Sequence, residues 1–212
     1  MLMTKLFEVG SFLTNCYILN CKETHQAVVI DPGFQTAMEA EKALSYIKSN
    51  DLKPIFVVNT HGHPDHSCGN KVFKDLYQVP ICVHEADAYM FGESGVETAR
   101  YFGFDHASPS ADVLLREDDF IKFGNVTLRV IHTPGHTPGS IVLLGETEVF
   151  TGDTLFAGSI GRTDFPKSSE SEMNLSLLKL MGLSDYYVAY PGHGPRTTIG
   201  EEKRFNPFLR GL

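Results

Sequence analysis

Thr60-His61-Gly62-His63-Pro64-Asp65-His66, the run THGHPDH at 60–66, places four metal-ligating side chains within six positions. It directly follows the apolar, β-branched run IFVVN at 55–59, so it begins at the carboxyl end of a predicted strand. Gly62 and Pro64 argue against continuation as a regular strand or helix, and the expectation is a loop that turns successive side chains toward different points. One such loop can serve two metal ions. Packing three imidazoles and a carboxylate together without a cation would bury polar and mutually repelling groups, so the cluster reads as a metal site. A lone histidine is more often a satisfied structural residue, and His25, His84, His106 and His132 are read that way.

Outward from this run, further strands are predicted at CYILN (16–20), AVVID (27–31), VTLRVIH (126–132), SIVLLG (140–145), EVFTGD (148–153) and YYVAYPG (186–192). Helical spacing occupies 35–49, 69–78 and 170–181, the last with Met173, Leu177 and Leu180 on one apolar stripe. Strands with interspersed helices predict an α/β layered protein. Asp31, the His61–His66 group, His136, Asp153 and His193 all fall at or just after a strand's carboxyl end, where one sheet rim can gather them. His136 in HTPGHTPGS, Asp153 in FTGDT and His193 in PGHG each lie among Gly and Pro, on tight turns that can hold a ligand rigidly.

The whole chain limits the alternatives. Its 212 residues, 42% hydrophobic and 21% charged, match one globular domain spanning 1–212 rather than two or a disordered polymer. A formal charge of −8 with scattered basic residues argues against a nucleic-acid partner. No apolar run is long enough for a membrane span, and MLMTKLFEVGSFLTNCYILN does not read as a secretory leader. Cys16, Cys21, Cys68 and Cys82 show neither CxxC spacing nor framework density, which fits a reducing cytoplasm.

THGHPDH, with His136, Asp153 and His193 following in order, resembles the HxHxDH pattern of the metallo-β-lactamase superfamily, and the likeness runs from VVIDPG at 28–33 to PGHGPRTTIG at 191–200. The resemblance implies a four-layer αββα sandwich with two divalent metal ions, Zn2+ first and Fe or Mn as alternatives, at one edge. It implies that His61, His63 and His136 bind one ion, that Asp65, His66 and His193 bind the other, and that Asp153 bridges them. Asp31 matches a carboxylate that orients a ligand without binding metal, with turn formation as the competing reading. A divalent metal lowers the pKa of bound water toward about 7. Asp65 is then expected to orient the attacking hydroxide and accept a proton.

Many β-lactamases of this fold have a cysteine where this chain has Asp153, which disfavours lactams. The segments GDTLFAGSIGRTDFP (152–166) and GHGPRTTIGEEKRFNPFL (192–209) resemble short glyoxalase-II-like hydrolases. That likeness implies a small thioester substrate such as S-lactoylglutathione, with Arg162 contacting an anionic group unless it merely pairs with Asp164. Two readings compete with it: a persulfide dioxygenase using one Fe(II), and a non-catalytic, metal-stabilised interaction protein. Oligomeric state is not legible.

Overall fold

The computed structural model describes every residue except Gly211. Fourteen strands are arranged in two six-stranded sheets and one small hairpin. The first sheet contains β1 (Leu2–Val9), β2 (Thr14–Cys21), β3 (Gln26–Ile30), β4 (Lys53–Val58), β5 (Ile81–His84) and β6 (Val113–Leu115), in that order. The second is built from β7 (Phe120–Phe123), β8 (Val126–His132), β9 (Ile141–Leu144) and β10 (Glu148–Gly152), and β11 (Leu155–Phe156) with β12 (Ser159–Ile160) makes the hairpin. β13 (Val188–Pro191) and β14 (Thr197–Thr198) complete the second sheet, whose order is β14-β13-β10-β9-β8-β7. The α-helices are α1 (Ala37–Ser49), α2 (Pro64–Ser67), α3 (Asn70–Tyr77), α4 (Val96–Tyr101), α5 (Glu170–Met181) and α6 (Ile199–Phe205).

The alternation of side chains along each strand builds the layers. From β2 and β3, Cys16, Ile18, Ala27 and Val29 face outward onto Ala43 and Ile47 of α1 and Phe73 of α3. Their neighbours Tyr17, Leu19, Val28 and Ile30 face inward against Phe123, Leu128, Leu143 and Phe150 of the second sheet. That sheet turns Val142, Val149 and Ala189 outward onto Met173, Leu177 and Leu180 of α5 and Ile199 of α6. The result is the four-layer αββα sandwich. Each large side chain fully buried in the middle layer, such as Phe150 or Leu143, contributes about 1.5–3 kcal/mol. Helix starts are locally encoded: Thr36 and Glu39 form a reciprocal capping box at α1, and Ser169 accepts from Glu172 N at α5.

Three departures from the sequence expectation have local causes. The 60–66 run is not wholly loop, because Pro64 occupies the first position of the single turn α2, where its missing N–H leaves nothing unpaired. The half-exposed edge strand β1 has no clean apolar alternation and is held by its antiparallel ladder with β2. The short strands β5, β6 and β7 also fell below the length at which periodicity is informative.

Strand direction then decides where the polar residues meet. β3 and β4 are parallel, β10 and β13 are parallel, and β8 runs with β10 because both are antiparallel to β9. The carboxyl ends of these strands deliver Asp31, His61, His136, Asp153 and His193 to one rim. The start of β2 ties the two sheets together there: Asn15 N donates to Gly192 O at 2.7 Å, and Tyr17 OH to Pro191 O at 2.6 Å.

Candidate metal centre

Seven side chains converge at this rim as two triads joined by Asp153. In the first triad His63 Nδ1 lies 3.1 Å from His61 Nε2 and 2.9 Å from His136 Nε2. All three rings are buried. In the second, His66 Nε2 lies 3.1 Å from His193 Nε2, and Asp65 Oδ2 is 3.5 Å from both of these nitrogens. Asp153 spans the pair, with Oδ1 3.5 Å from His66 Nε2 and Oδ2 3.5 Å from both His136 Nε2 and His193 Nε2.

Supporting hydrogen bonds fix which nitrogen points inward. His136 Nδ1 donates to Arg162 O at 2.9 Å and His193 Nδ1 to Phe12 O at 3.0 Å, leaving both Nε2 atoms directed into the cluster. His66 Nδ1 faces Asp31 Oδ2 at 3.0 Å. Asp31 also accepts from Thr60 N at 2.8 Å and from Thr60 Oγ1 at 2.6 Å. Its φ of 49° makes the turn as well, so the residue both bonds to His66 and shapes the turn. Thr60, having given its proton to Asp31, accepts from His61 Nδ1 at 3.3 Å and turns that ring's Nε2 inward.

This donor set suits cations. Lone pairs of the first triad face one another at hydrogen-bond distance with too few protons to pair them all. Asp153 Oδ1 is buried with no hydrogen-bond partner. Beside it the backbone leaves room: a Cβ at Gly192 would stand 2.2 Å from that oxygen and 2.8 Å from His66 Cε1.

The electrostatics of the triads differ. Burial holds His61 well below its ordinary pKa, aided by His66 and His63, and burial followed by the nearby His136 takes His63 to about 3. In the other triad burial also opposes charge, but Asp153, Asp65 and Asp31 overcome it and raise His66 to about 9. His193 rises to about 11 because hydrogen bonds to Asp153 and Asp65 outweigh its burial. Burial likewise disfavours ionised Asp65 and Asp153, yet His66 and His193 keep both carboxyls below their usual range.

Above the cluster opens a cleft of about 610 Å³ lined by Phe12, Phe102, Phe156, Phe165 and Arg162. Phe102 and Phe165 both contact His63, at ring-centroid distances of 4.6 and 5.6 Å. The sequence did not single out these aromatics. Phe165 lies inside the quoted GRTDF stretch, whereas Phe12 and Phe102 are isolated apolar residues far apart in the chain, with no local pattern to mark them. Arg162 lines the cleft, but its guanidinium makes paired 2.9 Å bonds to Asp164 and lies 4.3 Å from the Phe165 ring centre. The four histidines read as ordinary lie outside both triads: His84 and His132, for example, stack on each other with ring centres 3.9 Å apart.

Comparison with known proteins adds to the geometry. The family description "Metallo-beta-lactamase superfamily" matches residues 9–193. The hydroxyacylglutathione hydrolase GloC of Haemophilus influenzae is 37% identical over 97% of this chain and 97% of its own length. The mitochondrial persulfide dioxygenase ETHE1 of Mus musculus is 33% identical over 98% of this chain and 76% of its own. The crystal structure of the BLEG-1 B3 metallo-beta-lactamase superposes with a TM-score of 0.89 at 33% identity, covering 99% of this chain and 100% of that one.

Proposed function

We propose that this chain, which belongs to the metallo-beta-lactamase superfamily, is a dinuclear metal-dependent hydrolase of glutathione-type thioesters such as S-lactoylglutathione. The observation that carries the reading is the position of Asp153, one carboxylate in contact with both triads. A single ion held by the first triad and Asp153 would leave the second donor set, Asp65, His66 and His193, without a cation. His61, His63 and His136 are proposed to hold one cation and Asp65, His66 and His193 the other, with Asp153 between them. Divalent cations so held would acidify a water to near neutral pH and stabilise negative charge developing on the substrate oxygen. Zinc is our first choice, and iron and manganese accept the same donors.

The chain's own groups do the remaining work. Asp65 opens onto the cleft and is steadied by Thr14 Oγ1 at 3.3 Å, a position from which its free lone pairs can orient a water and receive its proton. The rings of Phe102, Phe165 and Phe156 exclude bulk water and offer apolar surface to an acyl or thiol arm. Arg162 is proposed to meet an anionic group at the rim, in competition with Asp164. The full-length likeness to GloC, a hydroxyacylglutathione hydrolase, supports the thioester assignment. We assign the chain to the cytoplasm, since its four buried free thiols suit a reducing compartment. No helix of the described residues is long and apolar enough to cross a membrane, and the charge of −8 argues against a nucleic-acid partner.

The persulfide dioxygenase reading has a specific support in the 33% identity to ETHE1 over nearly the whole chain. A panel of S-lactoylglutathione, a neutral thioester, a phosphodiester, a lactam and glutathione persulfide, run on protein of measured metal content, decides between them. We expect two metals per chain and a kcat/KM on the glutathione thioester of about 10⁴ M⁻¹s⁻¹ or more. One iron with oxygen uptake on the persulfide would transfer the assignment to the dioxygenase. Bound metal without any turnover would indicate an interaction protein.

A further inference from the structure

We infer that Asp87 is a positioning residue for the first triad, its carboxylate fixing the loop that carries His61 and His63 against the loop that carries His136. Asp87 lies in the turn Glu85–Met90 after β5 and is fully buried. Its Oδ2 accepts from Gly62 N at 2.8 Å and from Thr137 Oγ1 at 2.7 Å, and its Oδ1 accepts from Gly139 N at 2.7 Å. Gly62 sits between His61 and His63, and Thr137 follows His136. The two loops extend from different sheets, β4 in the first and β8 in the second. Beside Asp87, the backbone bond from Ile141 N to Thr60 O at 2.8 Å joins the same segments, but it leaves the loop tips free to part.

The chemistry explains why an acid stands here. Three donors point at two oxygens, and only an ionised carboxylate accepts from all three; an amide would turn its own N–H₂ toward at least one of them. An acid buried without a basic partner among the described residues is costly, so its place calls for a compensating set of donors, and these three supply it. The loop closes tightly on it as well: a Cβ at residue 139 would lie 2.6 Å from Asp87 Cγ. A shift of either loop would separate His63 Nδ1 from His136 Nε2, now 2.9 Å apart, and so spoil the triad.

The inference rests on reading His61, His63 and His136 as ligands of one ion, and its test needs no substrate, so the thioester assignment can fail without it. Full-length Asp87→Asn and Asp87→Ala proteins, stripped of metal, are titrated with Zn2+ against a chromophoric chelator and with Co2+ read by its visible spectrum. One of two equivalents should bind about ten- to hundredfold more weakly in Asp87→Asn, with an altered Co2+ spectrum, while the other keeps wild-type affinity. On any substrate turned over, kcat should fall while KM holds. Asp112→Asn, at an acid that caps Ile81 N away from the cluster, should leave both equivalents unchanged. Wild-type affinity for both equivalents in Asp87→Asn would overturn the inference. So would equal weakening of both with a lowered melting temperature of the metal-free chain, since that pattern marks general support of the fold. If Asp87→Ala does not fold, the near-isosteric Asp87→Asn decides alone.

Discussion

The two triads are separated by a few ångströms and share Asp153, yet they are built on different electrostatic plans. The first is all imidazole, deeply buried, with His61 and His63 held uncharged. The second gathers carboxylates: Asp65, Asp153 and the supporting Asp31 surround His66, and Asp65 and His193 remain partly open to the cleft. In the second triad the negative field calls for positive charge, supplied either by protons on His66 and His193 or by a cation that displaces them. A buried neutral donor set and a more open anionic one thus offer different routes to the same ion charge, and only Asp153 belongs to both.

The most severe test of that comparison removes the shared member. Asp153→Ala takes a charge from both triads at once and leaves two cations with less screening between them. We expect metal content to fall at both sites and kcat to drop about 10³-fold, the upper range for removal of one electrostatic contact to a reacting centre. His25→Ala, at a ring that meets only Asp51 O at 3.3 Å, should change neither. Comparable losses from the two substitutions would show that the cluster is wrongly drawn.

Metal removal sharpens the contrast. At a free metal concentration of about 100 Kd for each site, binding adds about 2.7 kcal/mol per ion, so stripping both ions should lower Tm by roughly 10–20 °C for a chain of this size. The stripped chain should also reveal the charge on the second triad. His66 and His193 bind protons more tightly folded than unfolded, so their contribution is complete below about pH 6.5. It is lost as the pH rises through about 9 for His66 and about 11 for His193. Melting curves of the metal-free protein across this range that stay flat would mean that the carboxylates do not dominate the second triad.

In the sequence the two triads were equally legible, each with two members in the 60–66 run and one on a later turn. His61, His63, Asp65 and His66 occupy one short run, and the others stand on Gly- and Pro-marked turns after strands, so the candidate ligands could be picked out where chemistry is concentrated in local sequence, and the structure brings them together. The apolar runs of β2, β3, β4, β8, β9, β10 and β13 marked them as strands of an α/β layered protein, with the four-layer order implied by the family resemblance, while the edge strand β1 and the short β5, β6 and β7 were not marked. Asp87 escaped notice altogether. Nothing in HEADAY distinguishes a buried acceptor of three hydrogen bonds from a solvated acid, since its donors come from residues 25 to 52 positions away. The cleft aromatics were missed for the same reason: packing across sheets is set by topology, which local pattern does not contain.

The smallest expected effect lies at the rim, where the cleft meets solvent. Arg162 is exposed and already engaged by Asp164 through two bonds, an arrangement that in water contributes little to stability. Its ring contact with Phe165 nevertheless holds the guanidinium over the cleft, so an anionic substrate group need only displace Asp164 from part of the planar donor edge. Because one charged hydrogen bond is exchanged for another, the net gain should sit at the low end for such bonds, about 1.5 kcal/mol, and Arg162→Ala should raise KM for a glutathione thioester about tenfold with metal content unchanged. Asp164→Asn frees the same edge and should lower KM for that substrate, a response that loss of loop support would not produce. A neutral thioester should be turned over almost equally by all three proteins. If Arg162→Ala impairs charged and neutral substrates alike, the residue supports the loop through Phe165 and Asp164, and recognition of the anionic arm belongs elsewhere in the cleft.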